Sequence, residues 1–206
     1  MIHDGCIQVV HVFAVEKSKL KQKFILGNHN PCILFADIMQ LGHKTAWDVR
    51  SQSMVAIPSA DIVVVGLSCK LFSALRQVRP EDVLRDRKGS SGETYGGFVD
   101  FLREHLPRLA LLENVPAMLK GKRGARNLAE IKRMAAELGY TVVWCKFNAV
   151  DYGLPQCRTR VYLALHYRCS SGFAEEFVSG ARDMLRAFKV PPFISCRQDA
   201  LEATVG

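Results

Sequence analysis

One cysteine of this chain stands where a thiolate could be made. Cys69 lies in DIVVVGLSCKLFS, directly after a run of β-branched residues, so it falls at a strand tip rather than inside the strand. A turn at such a tip can aim backbone N–H groups at the sulfur, and Lys70 adds positive charge beside it; both favour the thiolate. The plain alternative is a small buried hydrophobe, the usual role of a free cysteine. Glu113 and Asn114 follow an apolar run in the same way, in PRLALLENV. A carboxylate there either caps a helix or pairs with an arginine, or it is a desolvated acid able to hydrogen-bond or protonate a ring nitrogen. Gln156, Arg158 and Arg160 stand just before and at the start of a last apolar run, VYLAL, where strand alternation puts both arginines on one side. Two guanidiniums and an amide on one face suit phosphate and base oxygens; a solvated sheet edge is the alternative. Two further acids, Glu16 and Asp37, follow VFAV and ILFA.

Residues so spread along the chain need a scaffold to meet. The pattern alternates strand-like and helix-like segments. Strands are expected at Val9–Val15, Cys32–Phe35, Asp61–Gly66, Leu109–Leu112, Thr141–Phe147 and Arg160–Leu165, with the solid valines of 61–66 predicting a fully buried strand. Helices are expected at Lys17–Asn28, Tyr95–His105 and Arg126–Leu138. Strands separated by helices predict an α/β fold with a mostly parallel sheet and helices on both faces. In such sheets ligands bind at the carboxyl ends of strands, where Glu16, Asp37, Ser68-Cys69 and Glu113-Asn114 all fall. The charged, glycine-rich stretch Ala74–Gly97 reads as a mobile loop.

Composition bounds the class. The 206 residues are 49% hydrophobic and 23% charged, ordinary for a globular chain. No apolar run approaches the roughly 18–20 residues of a membrane span, and the N-terminus lacks the regions of a signal peptide. An intracellular, soluble protein without membrane association is expected. Lys and Arg number 28 against 20 Asp and Glu, a formal charge of +8, which favours a polyanionic partner. The seven cysteines form no C-x-x-C pair and none lies near a histidine at zinc spacing, so free, mostly buried thiols and no metal site are expected.

These segments, in this order, resemble the DNA cytosine carbon-5 methyltransferases. GLSCKLFS is similar to that family's nucleophile motif, G-x-P-C-x-x-F-S; Glu113-Asn114-Val115 is similar to its ENV motif; and Gln156-x-Arg158-x-Arg160 matches its Q-x-R-x-R motif. VFAVEKSKLKQKFI and LFADI resemble the segments that hold the cofactor. The resemblance implies a Rossmann-like, S-adenosylmethionine-dependent methyltransferase fold and transfer of a methyl group to carbon-5 of cytosine through a cysteine adduct at carbon-6. It implies Cys69 as nucleophile, Glu113 on ring nitrogen 3 and the exocyclic amine, and Arg158 and Arg160 near the carbonyl oxygen. Glu16 would hold the cofactor's ribose and Asp37 its adenine region, with Ser68 also on the cofactor side; Ser73, Asn114 and Gln156 would face the substrate. The segment Lys70–Gly97, with Arg76, Arg79, Arg85, Arg87 and Lys88, would close over a flipped-out base.

The chain also departs from the family pattern. Ser68 replaces the proline before the nucleophile, and the aromatic-x-Gly-x-Gly loop of the first family strand has no counterpart. The expectation is therefore a partial catalytic domain over residues 1–167, incomplete at its N-terminus. Residues 168–206 would form a C-terminal helix (Phe173–Lys189) and tail leading toward a recognition domain. The resemblance implies DNA as partner, in the nucleus of a eukaryote or in the cytoplasm or nucleoid otherwise. Two alternatives stand beside it: a transfer-RNA methyltransferase of the same family, and a catalytically impaired homologue that binds nucleic acid or another subunit.

Overall fold

Runs of β-branched and aromatic residues alternate with helix-period stretches, and the computed structural model folds them into an α/β architecture. It describes residues 2–3, 6–7, 9–70, 72, 84–87, 89–168, 176, 179–180 and 183. The chain divides into two compact units, Met1–Asp61 with Glu93–Pro107, and Ile62–Gly92 with Arg108–Gly206.

In the first unit a short antiparallel hairpin, β1 (Ile2–His3) and β2 (Cys6–Ile7), precedes a four-stranded sheet. That sheet runs β3 (Ala14–Val15), β4 (Leu34–Phe35), β5 (Thr45–Asp48), β6 (Ser53–Ala56). Helix α1 (Lys19–Asn28) links β3 to its parallel neighbour β4, and the remaining pairs are antiparallel. The expected strand over Val9–Val15 shrinks to two residues. Ala14 N–H donates to the Ile33 carbonyl and Glu16 N–H to that of Phe35, but further upstream the neighbouring chain passes through Pro31, which lacks an N–H, and the left-handed Asn30. The core gathers Leu34, Phe35, Leu41 and Ala46, with Phe13 edge-on to both Phe35 and Phe101.

Helix α2 (Gly89–His105) starts six residues earlier than the pattern predicts, inside the stretch read as a mobile loop. Glycines lower helix propensity, but close packing overrides it here. A Cβ on Gly97 would sit 3.0 Å from the Ile38 backbone, so the absence of a side chain is what lets the helix approach.

In the second unit the sheet order is β7 (Ile62–Gly66), β8 (Leu109–Asn114), β10 (Thr159–Tyr167), β9 (Tyr140–Asn148). Helix α3 (Gly121–Glu137) follows β8 and packs on β9, burying Ile131, Met134 and Ala135. Only β7–β8 is parallel; β8–β10 and β10–β9 are antiparallel. The pairing is thus mixed rather than mostly parallel. The apolar pattern of a strand does not encode its direction, and β9 returns as β10 through a 3-10 turn, Ala149–Tyr152, closed by the left-handed Gly153.

β7 is not the fully buried strand its valines predict: Ile62 is 58% and Val64 70% exposed. It lies at the end of the strand order, with β8 as its one hydrogen-bonded neighbour among the described residues. The thiols also differ from expectation. Cys32 and Cys69 are exposed and Cys145 is partly so, while Cys157 is disulfide-bonded. Much of Lys70–Gly97 and most of the tail lie outside the described residues; of the expected helix Phe173–Lys189 only Glu176, Ser179, Gly180 and Asp183 are described, and these are helical.

Candidate active site

The site of the second unit is built by the register of three strands. β7 and β8 run parallel with Gly66 opposite Glu113, so both strands finish at the same end. The ladder carries on one step further, where Leu67 N–H donates to the Glu113 carbonyl at 3.3 Å. Two residues beyond Leu67 stands Cys69. Its turn is closed by Phe72 N–H donating to the Cys69 carbonyl at 2.9 Å, and Phe72 itself is fully buried. A buried phenylalanine thus pins the turn while the thiol faces outward.

β10 runs against β8, with Val161 opposite Asn114 and Tyr162 opposite Glu113. The start of β10 therefore meets the end of β8. Arg160 uses this placement to form an ion pair, its Nε 2.9 Å from Glu113 Oε1, and its Nη1 donates to the Thr159 carbonyl. The arginine-partner reading of Glu113 is the contact present. Both side chains keep part of their surface open, 28% for Glu113 and 21% for Arg160, so the pair is reachable by a ligand. Arg158 and Gln156 precede the strand and are exposed. The two arginines therefore do different things: Arg160 orients the acid, and Arg158 points a charge outward.

Asn114 is buried, its amide spanning from the Leu67 carbonyl (3.3 Å) to the Val115 N–H (2.8 Å). That position fixes the ends of β7 and β8 against each other. Ser68 shares a hydroxyl hydrogen bond with Ser90 at 3.2 Å. Ser73 lies outside the described residues.

The first unit repeats the device with different partners. β3 and β4 are parallel, Val15 opposite Phe35, and Glu16 and Asp37 stand one and two residues past those ends. Asp37 caps the short 3-10 turn Ile38–Gln40 through Met39 N–H (3.1 Å) and pairs with Lys17 Nζ at 2.9 Å. That hydrogen-bonded carboxylate raises the Lys17 ammonium above its ordinary value. Glu16 Oε1 accepts from Ser18 N–H at 2.8 Å, while Oε2 lies 3.8 Å from Lys21 Nζ. As a donor set these acids fit a nucleoside: carboxylate acceptors for ribose hydroxyls and a ring amine. Lys17 and Lys21 pair with them. The sequence reading overlooked Lys17, although its place next to Glu16 was signal enough. It also overlooked Asp48, which is buried and accepts from the N–H groups of Leu34 (2.9 Å), Arg50 (3.1 Å) and Ser51 (3.0 Å). Burial alone would raise the Asp48 acid, but these hydrogen bonds outweigh it and hold the group below the usual aspartate value.

The model of the C-5 cytosine-specific DNA methylase family matches residues 6–172. The chain belongs to that family. A DNA (cytosine-5-)-methyltransferase of Cryptococcus neoformans, DMT5, is 30% identical over 192 residues, which is 92% of this chain and 8% of that protein. The type II methyltransferase M.HhaI of Haemophilus parahaemolyticus is 31% identical over 61% of this chain and 36% of its own length. M.Sau3AI of Staphylococcus aureus is 34% identical over 55% of this chain and 27% of its own. The chain thus spans well under half the length of these relatives. The fold is shared with the Dnmt2 methyltransferase of S. pombe, TM-score 0.51 at 15% identity, over 78% of this chain and 42% of that one. Among the described residues no helix is long and apolar enough to cross a membrane.

Proposed function

We propose that this chain carries the chemistry of methyl transfer from S-adenosylmethionine to carbon-5 of cytosine in DNA. The observation that supports the reading best is the register of β7, β8 and β10. It brings the exposed Cys69 turn, the Glu113 carboxylate and the Arg160 guanidinium to one end of one sheet. That is the constellation the reaction needs. The Cys69 thiolate attacks carbon-6 and forms a carbon–sulfur bond. Electron density then moves through carbon-5 toward ring nitrogen 3 and the carbonyl oxygen. Glu113 shares a proton with nitrogen 3 and accepts from the exocyclic amine, holding the charge as it grows. Arg160 keeps that carboxyl in place, and Arg158 offers its charge to the carbonyl oxygen or a flanking phosphate.

S-adenosylmethionine supplies the methyl group as an electrophile on its sulfonium when bound. Glu16 would accept from its ribose hydroxyls and Asp37 from its adenine amine, with Lys17 and Lys21 moving aside. Loss of the carbon-5 proton to solvent, followed by departure of the Cys69 thiolate, restores the aromatic ring. The target atoms are stacked within a duplex, so the base must first leave the stack, at a cost of a few kcal/mol.

Cys69→Ser in the full-length protein tests the reading. Transfer of a tritiated methyl group to duplex DNA should fall below detection while duplex affinity stays near that of the parent. A serine variant that methylates at the parent rate would remove Cys69 from the mechanism.

A further inference from the structure

Helix α1 is attached to its sheet by an amide. Of its ten residues only Gln22 is buried, at 8% exposure, while Leu20 and Phe24 are 80% and 62% exposed. A helix that covers a sheet ordinarily buries an apolar stripe, and a buried polar side chain costs stability unless its hydrogen bonds are made. The Gln22 amide makes one, its Nε2 donating to the Glu16 carbonyl at 2.5 Å. Apolar contact is left to the half-buried Ile25 and Leu26 in the second half of the helix. At the first turns the amide is the anchor.

That bond closes a ring of three. The Ser18 N–H donates to Glu16 Oε1 at 2.8 Å, the Gln22 N–H donates to the Ser18 carbonyl at 2.8 Å, and the Gln22 amide returns to the Glu16 carbonyl. On the sheet side, Glu16 N–H donates to the Phe35 carbonyl of β4 at 3.1 Å. Glu16 is thus held at its N–H by the sheet, at its carbonyl by a buried side chain of the helix, and at one carboxylate oxygen by the helix start. The other oxygen, Oε2, lies 3.8 Å from Lys21 Nζ, a side chain largely in solvent. The backbone is fixed and one carboxylate oxygen is left to an exchangeable partner. Ending a strand does not call for a buried amide, whereas holding an acid in place for a pair of ligand hydroxyls does.

We propose that Gln22 is a positioning residue for S-adenosylmethionine: through its hydrogen bond to the Glu16 carbonyl it holds the Glu16 carboxylate where the ribose hydroxyls arrive. The proposal rests on the cofactor role of Glu16 given above. Gln22 acts through Glu16 and not on the reacting atoms, so its loss lowers cofactor affinity and leaves the chemical step alone.

The test is made in the full-length protein with S-adenosylmethionine as the probe. Gln22→Met keeps the length of the side chain and removes the donor. Calorimetry should give a dissociation constant about tenfold above that of the parent, the equivalent of one hydrogen bond. KM for S-adenosylmethionine should rise by the same factor, while the single-turnover rate at saturating cofactor stays that of the parent. Gln22→Glu, of the same shape but with an acceptor where the donor was, is the second variant and should weaken binding at least as much; melting curves give the folded fraction of each. A Glu16→Gln background separates positioning from packing, because Gln22→Met should add little once the acid it holds is gone. Parental affinity in both Gln22 variants overturns the proposal, as does a loss that adds fully to that of Glu16→Gln, which would make Gln22 a packing residue. A parent that binds no S-adenosylmethionine would instead overturn the cofactor reading of Glu16, and the role of Gln22 with it.

Discussion

The two parallel strand pairs, β3–β4 and β7–β8, solve one problem in two ways. Each delivers acids to the carboxyl ends of neighbouring strands. At β8 the acid is Glu113, fixed by an arginine that belongs to the next strand and backed by the buried amide of Asn114. At β3 and β4 the acids are Glu16 and Asp37, attended by Lys17 and Lys21, whose side chains are largely in solvent. An acid that must hold a reacting ring benefits from a strand-mounted partner, which is already oriented before substrate arrives. Acids that must exchange one partner for another benefit from solvated lysines, whose surface ion pairs contribute at most about 1 kcal/mol each. On the function proposed above, the difference in partner would follow the difference in task.

Substitutions can break that contrast. Glu113→Gln should slow methyl transfer on the order of 10²–10³-fold, with a much smaller effect on duplex affinity, because the amide cannot share the same proton. Arg160→Ala should resemble it, and the double variant should be far from additive, since the two side chains act as one unit. Single-turnover rates with saturating cofactor would show this; an effect confined to apparent affinity would make Glu113 a structural acid.

Asp48 tests the first unit through stability rather than rate. Asp48→Ala strands the N–H groups of Leu34, Arg50 and Ser51 and should cost on the order of 2–3 kcal/mol in denaturant unfolding. The pH dependence has a definite sign. Because the folded group lies below the ordinary aspartate value, its contribution is fully present above that value, about pH 4, and is lost as acid carries the pH down through the folded value. Melting curves of Asp48→Asn should therefore show a shallower loss of stability below about pH 4 than the parent.

The smallest effect should come from Lys17→Ala. Freeing Asp37 should tighten S-adenosylmethionine binding by up to about fivefold, the equivalent of one surface ion pair. Calorimetry showing weaker binding would instead make Lys17 a ligand of the cofactor.

Much of this was legible in the residues alone. Cys69, Glu113 and Arg160 could be singled out because each follows or opens an apolar run, and strand ends are where α/β sheets place ligands. What the pattern could not carry was pairing. Strand direction leaves no mark on an apolar run, so the antiparallel insertion of β10 beside β8, and with it the Arg160–Glu113 contact, had to come from the fold. Exposure failed for a related reason. The valines of β7 look buried from composition, but burial depends on a neighbour on each side, and β7 closes the strand order. Gly97 shows a third limit: a residue that looks like a helix breaker is the one whose missing side chain admits the helix.

The strand order has a consequence for how the protein is made. β10 is the last strand of its sheet to leave the ribosome, yet it lies between β8 and β9. Until it emerges, β9 has no partner in the sheet, β8 is paired on one edge only, and Glu113 waits without its arginine. That end of the sheet is thus assembled only once β10 has been made, from contacts distant in sequence, which close slowly and leave apolar edges uncovered meanwhile. Slowing translation before residue 159 would lengthen that exposed interval, and a ribosome stalled there would carry Glu113 in a chain that lacks its arginine partner.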